Sequence, residues 1–533
     1  GWGGRCDEIV GRICLRLEST GDWWPVPDKP RIVRARQDLL ARLDSAARQL
    51  PGDLWILEQR VAYRVEEGRA EEALELVRDC PILDHGRCLA LEGYLLHVLH
   101  RFPESENVFE RMLRGMAPGE REEWIDPRPL LDREGRELLD DATPTERAEL
   151  VRRFWELADP LALVEGNDRW TEHLARQVVA RSRQDATNPF GLRWGDDLAE
   201  SLLRYGWEVG WEQIPPRPSE MTALSHAVGH QHPESRSYVP PGQGLRRLSD
   251  TDWEDWNPGS RYLPRTGYAP SYAPVVLPAP TEIYRVPRGD SLVVVAALSL
   301  PQDTSYHRGH DHPPLPIPSR FASRPPEVGL FARDFGGEVA RARIPGTTGV
   351  IRIAVPPGDY LLSAEVWAPD SARVGRYRAG IGWDGRPADL PTASDLFLLT
   401  PGPADSVHSL EVALEHLLPG RTVAGRSFRV AWELNGFGWQ RETLQYRLRI
   451  REAPGGFLRR AGRFLGLLGD GEVTTLEWSE AGPQMPGPFF RAAEVSLPAE
   501  VGPGDFEVRL EIRAPGRESL LLERAFRLEP ASR

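Results

Sequence analysis

The sequence predicts an α+β multidomain protein: a helical domain over residues 1–187, a joint with a proline- and aromatic-rich segment over 188–288, and two all-β sandwich domains over 289–403 and 404–533. Three observations predict it. Apolar residues recur at helical spacing up to about residue 185, and short strand-like runs separated by Pro-Gly turns take over after residue 289. Forty-nine prolines and 50 glycines in 533 residues mark a turn-rich chain, long enough for about three domains.

The helical reading begins with Ile32, Ala35, Leu39, Leu43 and Ala46, whose spacing holds until Pro51-Gly52 stops the run. Two helical hairpins follow at an internal offset of 32 residues, with Val61, Gly68, Ala73 and Val77 matching Gly93, His100, Ser105 and Phe109. "GRAEEALELV" and "HRFPESENVF" occupy equivalent places, so the pair resembles degenerate tetratricopeptide repeats, which bind partners or act as spacers. A further helix opens at Thr143, with Pro144 in the first turn and Glu146 where a capping-box carboxylate belongs. The next opens at Asn167 or Asp168 and carries Trp170, Leu174 and Val178 on one stripe.

Between Pro215 and Pro287 lie 13 prolines, interleaved with Trp253, Trp256, Tyr262, Tyr268 and Tyr272. A flexible linker is poor in aromatics, so this segment either wraps the same chain or lies on a partner. Beyond it, "SLVVVAALSL", "GVIRIAVPPGDYLLSAEVWAP" and "RYRAGIGWDG" read as the strands of a first β-domain. Seven short strands after residue 404 give the second the look of an immunoglobulin-like sandwich.

Composition removes several functions. A net charge of −13 and the absence of a cationic stretch argue against nucleic acid as a partner. Lys29 is the only lysine, which excludes a phosphate-loop lysine, a kinase-type strand lysine and a Schiff base beyond the N-terminal segment. No apolar run reaches 18 residues, as a membrane-spanning helix requires. A chain that starts at Gly1 reads as a processed N-terminus. Cys6, Cys14, Cys80 and Cys88 form two pairs of equal spacing that fit disulfides in an oxidising compartment; buried thiols or a zinc site are the alternatives, and the pairing stays open.

Candidate chemistry is sparse. His226, His230 and His232, and then His307, His310, Asp311 and His312, are the right residue types for zinc or copper, yet they fall in Pro/Gly-rich loops and read as solvated. No Gly-x-Ser-x-Gly elbow occurs, and no haem-attachment motif. Asp196 and Asp197, read as strand neighbours, point to opposite faces and suit a cap or an arginine ion pair better than acid–base chemistry. Residues 455–471, "GGFLRRAGRFLGLLGDG", form a basic amphipathic insert: Phe457, Leu458, Phe464, Leu465 and Leu468 supply apolar area, and Arg459, Arg460 and Arg463 supply charge. It reads as a docking or interfacial helix, or as an elaboration packed on its own sandwich.

The stretch "ERAELVRRFWELADPL…NDRWTEHLARQV…WGDDLAESLLRYG" resembles the GWxTD-domain proteins of certain bacteria. Trp194, Asp197, Tyr205 and Gly206 fall at the matching spacing. Arg193, Asp196, Leu198-Ala199 and Trp207-Glu208 depart from the pattern. The resemblance implies an extracytoplasmic, periplasmic protein and carries no catalytic residues. Trp194, Trp207 and Trp211 are suited to filling a structural joint.

These readings converge on a non-enzymatic structural subunit without cofactor or metal. It would dock on a membrane protein complex from the extracytoplasmic side and touch the membrane surface peripherally. The resemblance extends to the membrane-extrinsic polypeptides of photosynthetic reaction-centre and light-harvesting assemblies. The alternatives are a secreted carbohydrate- or peptide-binding module and a hydrolase with an unrecognised carboxylate pair. A deep cavity lined by convergent ionisable groups would count against the structural reading.

Overall fold

The computed structural model describes residues 6–16, 27–80, 85–184, 186–187, 192–206, 210–214, 226–230, 235–258, 266–273, 275–301, 318–387, 389–453 and 472–530. The architecture is α+β and multidomain, helical first and then β-rich. The compact units do not follow the linear boundaries expected from sequence. One comprises Gly1–Pro278, Pro301–Pro326 and Trp367–Ala379; the other comprises Ala279–Leu300, Glu327–Val366 and Gly380–Arg533. Residues on both sides of the expected 403/404 boundary therefore lie in one unit, because their strands share a sheet.

In the first unit the helices are α1 (Pro30–Gln49), α2 (Leu54–Glu66), α3 (Ala70–Arg78), α4 (His85–Val98), α5 (Phe102–Gly115), α6 (Pro118–Ile125), α7 (Arg133–Asp140), α8 (Pro144–Ala158), α9 (Asp168–Ser182) and α10 (Asp196–Tyr205). The starts of α2, α7, α8 and α9 follow from side chains that satisfy an orphan N–H group of the first turn. Asp53 accepts from the Ile56 amide, Thr143 and Glu146 form the expected capping box, and Asn167, not Asp168, caps α9.

The offset of 32 residues is visible in the backbone. The α2–α3 turn closes with Gly68 N–H donating to Val65 and Arg69 N–H to Arg64; the α4–α5 turn closes with His100 to His97 and Arg101 to Leu96. Gly68 and His100 both hold a left-handed φ, +73° and +58°. Gly93 and Phe109 show why small residues recur: a Cβ on Gly93 would lie 2.7 Å from the Phe109 ring. Ser105, at the Ala73 position, donates to the Gly93 carbonyl at 2.8 Å. Leu57, Leu74, Leu95, Phe109, Met112 and Leu174 close the core that α9 completes.

Both cysteine pairs are disulfides. Cys6–Cys14 ties the hairpin of Glu8–Val10 and Ile13–Arg16, and Cys80–Cys88 joins the end of α3 to α4. That hairpin continues as a four-stranded sheet with His226–His230 and Gly210–Ile214. His226 and His230 thus belong to a strand, not to a solvated loop, and His230 is buried.

The second unit stacks β-sheets. Its central strand Ser427–Asn435 pairs antiparallel with Phe397–Leu399, Thr392–Ala393 and Phe489–Ser496. The strand's period of two sends Phe428, Val430, Trp432 and Leu434 into a core shared with Thr443–Glu452, Gly504–Arg513 and Leu520–Glu529. Ala431 turns to the other side, where Phe397, Leu399 and Phe490 pack on Tyr284, Val286, Val293 and Val295 of the sheet formed by Thr281–Arg288, Ser291–Ser299 and Thr348–Val355. Two sandwiches therefore share one middle layer, and the middle strand is buried on both faces, with Arg429 and Glu433 beside Ala431 on the second.

Candidate functional site

The feature with the most convergent polar chemistry is a half-open cavity of about 480 Å³ in the helical unit. The repeat helices α2 and α4 form one wall, α9 and α10 another, and the loop around Tyr268 and Ser271 completes it. The offset of 32 places it: α2 and α4 are the first helices of the two hairpins, and both line the cavity.

Charge in the cavity is organised around α9. Glu172 receives Arg176 Nε at 2.6 Å and lies 2.7 Å from His97 Nε2. His97 Nδ1 in turn meets Thr171 Oγ1 at 2.8 Å. Burial pushes the Glu172 carboxyl up, but the charge of Arg176 and the hydrogen bond to His97 outweigh it and hold the group well below the usual carboxylate range. Arg176 also donates to the carbonyls of Leu203, Arg204 and Gly267. Its guanidinium lies 2.8 Å from where a Gly206 Cβ would stand, and Gly206 has φ +85°, so glycine is needed at that position on two grounds.

His100 sits where its repeat mate has glycine. Its Nδ1 is 2.9 Å from Ser271 Oγ, and its ring packs edge-on to Phe102. Burial, then the nearby His97 and Arg320, push this imidazole down to about 4, so it is neutral at physiological pH. A neutral imidazole beside a hydroxyl is half of a nucleophilic triad. Among the described residues no carboxylate orients the second nitrogen, since Glu172 is committed to His97 and Arg176.

Behind the cavity, Asp168 is fully buried and accepts from the Tyr268 and Tyr272 hydroxyls at 2.6 and 3.1 Å. Burial, then Asp159, push its carboxyl up to about 8 against those two bonds. Trp256, Tyr268 and Tyr272, expected as docking residues on a partner, are buried within the helical unit. The described part of the 188–288 segment wraps its own chain: Trp256 Nε1 donates to Thr251, and Tyr272 packs on Phe102, Phe321 and Trp367. The physical reason is area, since a buried Tyr or Trp needs only one partner for its polar tip. Trp253 is exposed; Tyr262, and the whole insert from Phe457 to Leu468, lie outside the described residues.

The joint residues come together. Asp197 lies in the first turn of α10, not on a strand, and Arg12 clasps it with Nε at 2.6 Å and Nη2 at 2.7 Å. Arg12 holds the carboxyl at about 2. Tyr205 donates to Glu8, while Trp194 and Trp211 pack on Val10, Ile13, Leu15 and Leu198. Trp207 lies outside the described residues. Of the histidine clusters, only His226 and His230 are described, and the described residues hold no group of three metal-ligating side chains.

Sequence reading missed Tyr94, His97, His100, Glu172, Arg176 and Ser271. One signal was available: at offset 32 a histidine stands where the first repeat carries its turn glycine.

No protein-family model matches the chain, and no curated protein matches it. Among solved structures it is similar to the BSP domain of a biofilm-associated protein at 10% identity, covering 58% of this chain and 39% of that one with a TM-score of 0.22. It is similar to a DUF3823 family protein from Bacteroides ovatus at 13% identity, covering 39% and 89% with a TM-score of 0.15. Red sea bream transglutaminase shows 10% identity over 47% of this chain, with a TM-score of 0.16, and the match spans only 31% of the transglutaminase. Likenesses this slight carry no argument about activity. The two disulfides are compatible with an extracytoplasmic setting, and among the described residues no helix is long and apolar enough to cross a membrane.

Proposed function

We propose that the chain is a non-enzymatic, extracytoplasmic docking subunit that holds a segment of a membrane protein complex in the cleft of its helical unit. One observation carries the reading: the cleft lies along α2 and α4, the repeat helices, and its ionised groups are neutralised by partners within the protein. A catalytic cleft keeps such groups available to substrate, whereas a holding cleft needs walls. The cavity has the convergent ionisable lining that would count against a structural role, and the internal pairing of those groups is what favours holding over catalysis.

The finer reading adds a GWxTD-like joint at Trp194, Asp197, Tyr205 and Gly206 and a photosynthetic reaction-centre and light-harvesting partner. It rests on the sequence resemblance alone. The basic insert 455–471 would add a peripheral contact with the membrane surface. The test is native purification from detergent-solubilised membranes. Co-migration with a multisubunit complex is expected, and elution of the chain alone overturns the proposal.

The second reading is a secreted carbohydrate- or peptide-binding module. Trp439 and Trp253, exposed at 57% and 45%, favour it, because an exposed indole is a stacking surface. A mobility shift on glycans, without a co-purifying complex, would select it.

A further inference from the structure

We infer that the cleft takes an uncharged, largely apolar group that carries one hydrogen-bond acceptor, and that the Tyr94 hydroxyl is the donor that meets it. This rests on the docking reading, in which a partner's side chain arrives beside its own backbone carbonyl.

The first argument is charge. Glu58 is paired with Arg87, Glu66 with Arg36, and Glu172 with Arg176 and His97. Arg176 is held by Glu172 and three carbonyls. A charged ligand entering this half-enclosed space would give up water for a lining already neutralised, and desolvation without a partner is costly.

The second argument is the wall. Val61, Val65, Leu91, Val98, Ala175 and Val179 line the cavity, and its volume of about 480 Å³ falls in the range of small-molecule pockets. The third is Tyr94. Its ring is half-buried in α4 and lines the cavity, and among the described residues its hydroxyl has no hydrogen-bond partner. Burial pushes the phenol up to about 12, so it stays a donor at neutral pH. A phenol set among apolar walls is a polar contact the lining leaves open, and it asks for a neutral acceptor such as a carbonyl.

The experiment uses the intact protein and the neutral apolar dye N-phenyl-1-naphthylamine, followed by fluorescence. N-acetyl-phenylalanine amide is expected to displace the dye at least about ten-fold better than the N-acetyl-phenylalanine carboxylate. Ala62→Trp, at a half-buried lining position, should abolish dye binding with an unchanged thermal melt; Val179→Trp serves if that variant does not fold. Tyr94→Phe should weaken the amide about five-fold, the value of one hydrogen bond. Equal or better displacement by the carboxylate overturns the inference, as does dye binding that both tryptophan variants leave intact. Partner co-purification undiminished in a variant that has lost dye binding also overturns it while leaving docking in place. Dye binding with the expected selectivity and no co-purifying partner supports the cavity chemistry and overturns docking instead.

Discussion

The helix α9 and the strand Ser427–Asn435 are both largely enclosed in their units, and they bury polar side chains in opposite ways. The strand has two faces. Its apolar residues Phe428, Val430, Trp432 and Leu434 take one, and Arg429 and Glu433 take the other, each fixed by partners. Arg429 donates to the Thr400 and Pro403 carbonyls and to Ser406, and Glu433 accepts Arg288 at 2.6 and 2.8 Å. The helix, with 3.6 residues per turn, sends Asp168, Arg169, His173 and Arg176 in several directions within two turns. Some of these side chains meet a packed core and some meet a cavity. A period of two sorts residues onto two faces, while a helical period can bring a core and a site onto one element.

The comparison is broken most severely through the strand. Trp432 is 1% exposed between the sheets, and Trp432→Ala should cost about 3–5 kcal/mol, measured by urea denaturation of the intact chain. A loss below about 1 kcal/mol would mean that the shared middle layer is not the core of the β unit.

Next comes the link between the two helical hairpins. The Cys80–Cys88 disulfide closes a short loop whose chain-entropy contribution is about 2.6 kcal/mol. The Cys80→Ser and Cys88→Ser double variant should lose about that much in the same assay. An unchanged midpoint would assign the repeat geometry to packing alone.

The third test follows pH. The folded-state pKa of Asp168, about 8, lies above the ordinary carboxyl value near 4, so the native state binds the proton more tightly than the unfolded state in that window. The contribution of Asp168 is therefore fully present below about pH 4 and is lost as pH rises towards about 8. Asp168→Asn should flatten this downward slope in denaturation at stepped pH. A slope identical to the native protein's would remove Asp168 as its source.

The smallest effect sharpens the repeat equivalence. Gly68 and His100 occupy the same left-handed turn position, where a Cβ costs about 1 kcal/mol. Gly68→Ala should lose about that amount, whereas His100→Gly should change stability less, because relief at the backbone is offset by the lost Ser271 bond and the Phe102 contact. A larger gain from His100→Gly would show that those contacts contribute nothing.

By itself the sequence determined what depends on neighbours in the chain. Helical spacing, the Thr143–Glu146 capping box, the repeat offset that put Gly68 and His100 in equivalent turns, and the alternating strands all follow from local geometry. The spacing of the cysteines pointed to disulfides in the same way, without deciding their partners. Only the tertiary structure decided the rest. Trp256, Tyr268 and Tyr272 turned inward because the helical unit offered them area and hydroxyl partners, which composition cannot state. Asp197 proved to be a helix-start carboxylate clasped by Arg12, 185 residues away in sequence. The cavity joins α2, α4, α9, α10 and a loop far along the chain. No periodicity spans such distances, because the residues become neighbours only once the chain has closed.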